Sequence, residues 1–379
     1  MVLGGLVFFH ELGHYGMAKL FKTDIERFSV GFGKPIAEFT RKSGEIWSIG
    51  RVPLGGYVKF RGDAGGASNP DHKQLAQLKT DLEDGGADAS NCFHFKPLYQ
   101  RVLIVLAGPL ANFVLAVVIT AALALSFGTI AYKSIVSSVD PQSAAAAAGF
   151  EAGDHILTMN GIDVSDYQQL AGFVAVRSGV DIETTLERNG QIITTSVTPR
   201  RQERRDFIGG KNDVGTIGIT LSNESMSRVD HTLPSAVVHG GKDLVNTVKT
   251  TGTYLGRIFV GKEDGKALGG VARIATMTGK TAVDISKQDR SVSDRLKNMI
   301  YSLLSLGAAL SIGLGVANLM PIPALDGGHL LYYGYEALAG RPLSEQKQEF
   351  GFRIGFAVLA GLFVVLTFND IHYIRSLFT

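Results

Sequence analysis

The sequence predicts a polytopic α-helical membrane protein with about four transmembrane helices, a membrane-associated β-hairpin or sheet, and an inserted α+β domain. Hydrophobic residues make up 45% of the 379 residues and charged residues 19%, which is typical of membrane spans that alternate with water-exposed segments. A stretch of about 20 apolar residues is long enough to cross the hydrocarbon of a bilayer. Four stretches approach this rule, at residues 1–21, 102–127, 299–320 and 354–371.

Charge and cysteine content exclude two other classes of protein. The formal net charge is +2 and no basic block dominates any segment, so we expect no nucleic-acid partner. The single cysteine, Cys92, excludes an intramolecular disulfide framework, and we interpret it as a reduced thiol of no special role.

The segments between the spans divide the chain into four regions. Residues 1–128 hold the first two spans with a loop and β region between them, and residues 129–222 form the inserted domain. Residues 223–297 contain an amphipathic juxtamembrane helix and a linker, because apolar residues recur there at helical spacing. Residues 298–379 hold the last two spans. Within the first region, the polar, acidic stretch 73–90 predicts a mobile loop.

Two histidines and a glutamate interrupt the first apolar stretch, in LVFFHELGHYGMAKLF. His10 and His14 are four residues apart, so a helix presents both imidazoles on one face, with Glu11 beside them. HExxH on a helix is typical of zinc peptidases, in which the imidazoles bind the metal and the glutamate acts as general base towards water. The motif also occurs by chance on surface helices. At membrane depth, however, each ionisable group costs about 2–3 kcal/mol or more, and this favours a metal site.

A catalytic zinc site needs a third protein ligand and an open position. The best candidate is Asp326 in ANLMPIPALDGGHLL, at the end of the third span. The prolines before it and the glycines after it predict broken helix, which is tolerated at membrane depth where it is buried in protein or lines a wet cavity. His329 is the competing ligand, although a histidine beside a ligand is more often its hydrogen-bonding neighbour. Asn318 is a candidate for holding the substrate backbone or stabilising an oxyanion; the alternative is a helix cap.

HELGH in the first span and NLMPIPALDGG at the third together resemble the site-2 protease family of intramembrane zinc metalloproteases. ERFSVGFGKP, RVPLGGYVKFRGD, RVLIVLAGPLANF and FND extend this resemblance to the bacterial RseP type, over nearly the whole chain. The resemblance implies one Zn²⁺ ion per chain, held by His10, His14 and Asp326. It also implies that Glu11 is the catalytic acid/base and that Asn318 lies near the scissile bond.

The chain departs from the family pattern in two places. About nine residues precede the first histidine, whereas relatives carry a longer first half of that span, and one PDZ pattern is present where the best-known relatives have two in tandem. A third motif, the run from Gly108 to Asn112 in the second span, is interpreted as a packing feature, because small residues let membrane helices approach closely.

The segment GGYVKF predicts a way to open a helical substrate. A peptide bond inside a helix is closed to attack, so an enzyme that cuts within a span must first unwind it. An edge strand offered to the extended substrate replaces the lost main-chain hydrogen bonds. The candidate strand covers residues 52–60, and the alternative is an ordinary hairpin over the site. Its candidate substrate-binding residues are Gly55, Gly56, Tyr57 and Val58.

The inserted domain resembles a PDZ domain. SAAAAAGFEAGDHILTMNGIDV, residues 143–164, carries the pattern A-A-G-Φ-x-x-G-D-x-I-x-x-x-N-G of bacterial PDZ modules, where Φ is apolar. Gly149, Phe150, Gly153 and Asp154 occupy its centre, and turn signals flank a strand at 155–159. PDZ domains add a peptide strand and capture its C-terminal carboxylate. The resemblance implies a size filter against bulky outer domains, and the sequence leaves filter and peptide receptor open.

The resemblance implies an intramembrane zinc metalloendopeptidase that cuts single-span membrane proteins of the anti-sigma factor type. An upstream site-1 protease would cut these substrates first, and remnant signal peptides are further candidates. The expected location is the inner (plasma) membrane of a bacterium, with the PDZ domain on the periplasmic side. Two other classes fit less well. An inactive membrane-anchored PDZ adaptor would be expected to lack Glu11 or a ligand, and a metal-ion transporter would need more acids and histidines within its spans.

Overall fold

The computed structural model describes residues 2–63, 72–83, 89–205, 211–222, 226–266, 268–287 and 291–377. Within these ranges the chain forms ten α-helices and twelve β-strands. Helices α1 to α10 are Val2–Leu20, His72–Glu83, Leu98–Phe127, Ala144–Ala147, Tyr167–Ala175, Leu233–Phe259, Val271–Lys287, Val292–Asn318, Asp326–Ala339 and Glu345–Ser376. Strands β1 to β12 are Ile25–Thr40, Ile46–Phe60, Thr129–Tyr132, Val136–Val139, His155–Met159, Ile162–Asp163, Ile182–Arg188, Gln191–Val197, Arg200–Arg205, Lys211–Thr216, Ile219–Leu221 and Met226–Val229.

Three of the described helices are long and apolar enough to cross a membrane, namely α3, α8 and α10. They cover three of the four predicted stretches. Helix α1 covers the remaining stretch, residues 1–21, but does not meet the same criterion, because its two histidines and its glutamate lower its mean hydropathy. Three helices therefore qualify as candidate spans by length and apolar composition, and the number of four spans stays a prediction.

The chain forms two compact units. The first contains residues 1–119 and 303–362, and the second contains residues 120–302 and 363–379. Helices α3, α8 and α10 therefore each contribute residues to both units.

In the first unit, a β-hairpin packs against α1. Strands β1 and β2 pair antiparallel, with Phe28 opposite Val58 and Val30 opposite Gly56. Phe28 is buried and stacks on Trp47 with the ring centroids 4.4 Å apart. This packing places β2 beside the turn of α1 that carries the HExxH motif. The buried core of the unit consists of Tyr15, Ala18, Ile25, Phe28, Val58, Phe60, Phe93, Ile104 and Val105.

Residues 72–83 form helix α2, where the sequence predicts a mobile loop, so that prediction was wrong for this segment. Leu78 is buried against Cys92, and Leu75 packs on the same cluster. These two leucines are three residues apart, which places them on one face of a helix despite the polar composition around them. Cys92 is a free, buried thiol, as predicted. Residues 84–88 of the predicted loop lie outside the described ranges.

The second unit is built around the inserted α+β domain. Strands β6, β5, β7 and β8 form one antiparallel sheet in that order, and β5 covers the strand predicted at 155–159. Ile182 and Leu186 of β7 are fully buried, as expected for alternate positions of a strand with one face on the core. The buried core consists of Val136, Ala144, Ala145, Phe150, Ile156, Met159, Val164, Leu170, Phe173, Val174, Ile182, Leu186, Val197 and Ile217.

Three further strand pairs complete this unit, namely β4 with β11, β9 with β10, and β3 with β12. In the last pair, residues 226–229 lie beside residues 129–132, so a strand beyond the predicted domain end at residue 222 pairs with the first strand of the insertion. The domain limits themselves stay a prediction.

Helix α6 is the long helix that the sequence predicts after the inserted domain. It begins with a capping box between Thr232 and Ser235, in which each side chain accepts a backbone N–H of the other residue. Ala236 is fully buried against two alanines of α3. Val237 and Phe259 on the same helix are largely exposed, in agreement with an amphipathic helix. Its position at the membrane surface stays a prediction.

The turn from Gly149 to Asp154 in the inserted domain is held by one arginine. Asp154 is fully buried, and Arg188 on β7 donates from Nε to Oδ1 at 2.6 Å and from Nη2 to Oδ2 at 2.8 Å. Arg188 also donates to the carbonyl of Gly149 at 2.7 Å, and the N–H of Glu151 donates to Asp154 at 2.8 Å. Both oxygens of the carboxylate are therefore engaged inside the domain.

Replacing Arg188 by Met is expected to destabilise this turn by about 3 kcal/mol, because a buried carboxylate then loses its charged partner. That change in free energy corresponds to a roughly 100-fold larger population of the locally open form, and so to roughly 100-fold faster hydrogen exchange of the local amides. We would measure amide hydrogen exchange by mass spectrometry on the full chain in detergent, in peptides that cover residues 149–159. Lys211→Met is the control, because its partner Glu203 is more than half exposed and such surface pairs contribute about 0–1 kcal/mol.

The same pair predicts a pH dependence. Burial by itself raises the pKa of Asp154, but the hydrogen bonds from Arg188 and from the N–H of Glu151 outweigh it and hold the pKa below its usual range. Stabilisation from a lowered pKa is complete above the unfolded value of about 3.9 and is lost as the pH falls through the lower folded value. In Arg188→Met, burial without the arginine raises the pKa of Asp154, so the variant takes up a proton at a higher pH than wild type does. The difference between wild type and variant should therefore be full at about pH 7, shrink as the pH falls through the raised pKa of the variant, and vanish below the lowered pKa of wild type. Equal exchange at neutral pH would contradict this account.

Candidate metal centre

Helix α1 presents the three polar side chains of the HExxH motif to the interior of the first unit. His10, Glu11 and His14 are all buried. The two imidazoles meet edge to face, with an angle of 86° between their planes and their Nε2 atoms 3.2 Å apart. The spacing of four residues places both on one face of the helix. Three titratable groups in one buried turn need compensation, because an isolated buried charge is costly.

Asp326 approaches the two imidazoles from the start of α9, after a break between α8 and α9. Helix α8 ends at Asn318 and α9 begins at Asp326, with the two prolines of the motif in the segment between them. Gly327 and Gly328 follow, and a Cβ atom on either would stand 2.2–2.5 Å from backbone carbonyl oxygens of that segment. The glycines therefore let the broken segment fold closely over the first turn of α9, which positions the carboxylate.

The separations of the three donor groups fit one small cation. Nε2 of His10 lies 3.2 Å from Oδ2 of Asp326, and Nε2 of His14 lies 3.5 Å from Oδ1. One ligand atom from each residue can be chosen so that all lie within 4.8 Å of one another. Ligands about 2.0–2.1 Å from a tetrahedral zinc ion stand about 3.3 Å apart. The two Nε2 atoms are 3.2 Å apart, close to that value, and each imidazole lies 3.2–3.5 Å from a different oxygen of Asp326.

The hydrogen bonds around the cluster also fit a metal. Nδ1 of His14 lies 2.8 Å from the carbonyl oxygen of Ile104. A carbonyl only accepts, so Nδ1 carries the proton, and the neutral ring keeps a free lone pair on Nε2. Oδ2 of Asp326 is buried, and its polar neighbour is Nε2 of His10 at 3.2 Å. Lone pairs of two rings and one carboxylate thus converge, and a divalent cation is the partner that satisfies all of them.

Glu11 lies beside this cluster rather than in it. Its carboxylate is buried, and the backbone N–H of Val58 on β2 lies close to it. A Cβ atom on Gly56 would stand 2.9 Å from Cγ of Glu11, so the glycine allows β2 to approach the side chain. The hairpin therefore holds the carboxylate in place through main-chain atoms.

The predicted substrate strand lies at the site. Gly55, Gly56, Tyr57 and Val58 all belong to β2, and Tyr57 stacks on Phe32 of β1. Within the part of the chain that the structure describes, this sheet contains just β1 and β2. Residues 56–60 of β2 pair with residues 25–30 of β1 along one edge. No described strand pairs with their other edge, which is compatible with either interpretation of this segment.

Other polar residues near the ends of the candidate spans lie outside the cluster. Nδ2 of Asn318 lies 3.4 Å from Nε2 of His10, so this amide borders the cluster, and its role towards substrate stays a prediction. His329 packs against Tyr332 and is absent from the described group of convergent ligands. Glu336 accepts two hydrogen bonds from Arg101 at 2.6 and 3.1 Å, which fixes α9 against α3. In the second unit, Asp370 accepts backbone N–H groups at the start of α7.

Two residues of α3 complete the site and were not assigned to it by the sequence. A Cβ atom on Gly108 would stand 2.2 Å from Nε2 of His14 and 2.9 Å from Cε1 of His10. Nδ2 of Asn112 lies 3.0 Å from Nδ1 of His10. Both were interpreted as packing residues. The signal that could have identified them is the presence of a small and a polar residue four apart on one face of an apolar helix.

Comparison with known proteins agrees with this geometry. The family model described as Peptidase family M50 matches residues 1–362. Metalloprotease MmpA of Caulobacter vibrioides is 37% identical over 387 residues, which cover 100% of this chain and 97% of that protein. A putative zinc metalloprotease of Rhizobium meliloti is 38% identical, with 97% and 94% covered. Zinc metalloprotease RasP of Geobacillus kaustophilus is 29% identical, with 98% and 96% covered.

Among solved structures, the PDZ domain of an SdrC-like protein from Listeria monocytogenes matches 25% of this chain and 88% of its own, at 21% identity and a TM-score of 0.20. Similarity at that TM-score decides nothing about the fold. The PDZ assignment of the inserted domain therefore stays a prediction.

The site and the relatives define a zinc metalloprotease with membrane helices. The chain belongs to peptidase family M50, the family of site-2 proteases. Zinc is accordingly its cofactor, and membrane proteins are the class of substrate that the family implies.

Proposed function

We propose that this metalloprotease is an endopeptidase that cuts within transmembrane segments, with His10, His14 and Asp326 as zinc ligands and Glu11 as general base. One observation carries the proposal: two imidazoles and a carboxylate converge within 4.8 Å, at the point where α8, a candidate span, breaks before α9. Non-helical backbone at membrane depth is tolerated where it lines a water-filled cavity, and such a cavity lets water reach a substrate within the bilayer.

Bound zinc would polarise the scissile carbonyl and lower the pKa of water towards neutrality. Glu11 accepts the proton of the attacking water and delivers it to the nitrogen of the leaving amine. The N–H of Val58 keeps the carboxylate oriented through both transfers. The amide of Asn318, beside His10, is placed to hydrogen-bond the carbonyl oxygen of the substrate as it gains negative charge.

The free edge of β2 would hold the substrate in an extended form. A span that enters the site loses helical hydrogen bonds, and pairing with main-chain groups of residues 55–58 replaces them. If the substrate is cut within a span, residues 52–60 act as an edge strand for the unwound substrate. The proposed function therefore favours this interpretation over an ordinary hairpin that only covers the site.

The proposed substrates are single-span membrane proteins of the anti-sigma factor type, after a site-1 protease has removed their outer domain. Remnant signal peptides belong to the same chemical class. The inserted domain would act as a PDZ module on the periplasmic side of a bacterial inner membrane, where it excludes bulky outer domains or binds new C-termini.

The test uses the full chain, purified in detergent with zinc, and a labelled single-span substrate that lacks its outer domain. We expect a cut inside the apolar segment, located by mass spectrometry, and slower cutting of the same substrate with a folded outer domain attached. A cut confined to the polar flanks would contradict an intramembrane site. Bound zinc with no cut at all would favour the alternative, a membrane-anchored PDZ adaptor.

A further inference from the structure

Asn112 is a buried amide in the middle of an apolar helix. Its exposed fraction is 0%, and it lies in the run VLAGPLANFVLAVV of α3. Placing an unpaired amide in such surroundings costs free energy, so buried amides are nearly always hydrogen-bonded. The side chain of Asn112 meets one group, the imidazole of His10, at 3.0 Å from Nδ1. Oδ1 of the same amide is buried without a partner.

The chemistry of His10 determines which amide atom this ring needs. Its Nε2 faces Asp326 at 3.2 Å and is therefore the ligand atom in the proposed zinc site. A ligating Nε2 uses its lone pair, so the ring proton must lie on Nδ1, which becomes a donor. An N–H group of Asn112 cannot satisfy that donor, whereas a carbonyl oxygen can.

A rotation of the amide by 180° about its last torsion exchanges its oxygen and nitrogen, which have nearly the same shape. The rotated amide places Oδ1 where Nδ2 stands, 3.0 Å from Nδ1. Each rotamer leaves one amide atom without a partner. The rotated form alone meets the requirement of a ligating imidazole.

We propose that Asn112 is a positioning residue for zinc: its Oδ1 accepts the Nδ1–H of His10 and holds the ring with Nε2 directed at the metal. The backbone carbonyl of Asn112 accepts a hydrogen bond from Ser311 Oγ on α8 at 2.8 Å. Main chain and side chain of this residue thus serve different purposes, one joining α3 to α8 and the other orienting a ligand. The inference rests on the proposed ligand set.

The experiment compares zinc affinity, by chelator competition on the full chain in detergent, for wild type, Asn112→Leu, Asn112→Asp and Ser311→Ala. The absorption spectrum of the Co²⁺-substituted protein reports ligand geometry independently of activity. Loss of a partner of a ligating histidine typically weakens metal binding by about 10- to 100-fold. We expect that loss, with an altered cobalt spectrum, for Asn112→Leu.

Asn112→Asp retains an acceptor oxygen and should stay within about threefold of wild type. Ser311→Ala removes the helix contact alone and should also stay close to wild type.

Three results would overturn the inference. Unchanged affinity in Asn112→Leu would mean that the carbonyl of Gly108, which also lies near the ring, suffices as acceptor. Equal losses in Asn112→Leu and Ser311→Ala would assign the effect to helix packing, and equal losses in the Leu and Asp variants would assign it to side-chain shape. If Asn112→Leu does not fold, Asn112→Ala, which adds no bulk, replaces it. Zinc binding by His10→Ala at wild-type strength would instead reject the proposed ligand set itself.

Discussion

Glu11→Gln is expected to lower kcat/KM for cleavage by about 10²- to 10⁴-fold, the usual contribution of a positioned general base, while zinc stays bound. Glutamine has nearly the same shape as glutamate and can still accept the N–H of Val58. It cannot take a proton from water. Because Glu11 lies beside the convergent ligand group rather than within it, the metal content should remain at one ion per chain.

The measurement pairs initial cleavage rates with zinc content, on wild type and Glu11→Gln purified in the same way. Glu38→Gln is a matched control, because Glu38 is an exposed carboxylate of β1 that pairs with Arg27 at 2.9 Å. It should retain wild-type activity. Equal activity in the Glu11 variant would identify another base, and loss of zinc from it would mean that Glu11 supports the metal rather than the proton transfer.

Gly108→Ala is expected to weaken zinc binding by about 100-fold or more, since it displaces ligands directly rather than through their neighbours. The added Cβ would stand 2.2 Å from Nε2 of His14 and 2.4 Å from its Cε1, which no relaxed structure tolerates. The same methyl would crowd Cε1 of His10. Alanine favours a helix over glycine by about 1 kcal/mol, so a weaker α3 cannot explain the loss.

We would measure the zinc dissociation constant by chelator competition and the cleavage rate at saturating zinc. Gly16→Ala on α1 is the control, because nothing stands within 4 Å of the added Cβ atom; it should bind zinc as wild type does. If Gly108→Ala binds zinc normally, the two imidazoles must be free to move away from α3, and the close contact would have no role in the site.

Local sequence was sufficient for the parts of the site that depend on one element. The i, i+4 spacing of His10 and His14 fixes both rings on one face of α1, whatever surrounds that helix. Asp326 could be paired with them because prolines and glycines indicate a break near a membrane span. The same local reasoning failed at residues 72–83, where polar composition concealed a helix held by Leu78 against Cys92. The fourth span, α1, stays a prediction, since its hydropathy falls below the criterion that α3, α8 and α10 meet.

The sequence by itself therefore determined the donor types and the elements that carry them. Tertiary structure decided what surrounds them: the carbonyl of Ile104 that sets the tautomer of His14, and the N–H of Val58 directed at Glu11. Tertiary structure also decides that Gly108 leaves room for the two imidazoles and that the amide of Asn112 lies beside His10. The physical reason is that periodicity orients side chains within one helix. Hydrogen bonds and close approach between separate elements join residues about 50–300 positions apart, and local pattern does not encode them.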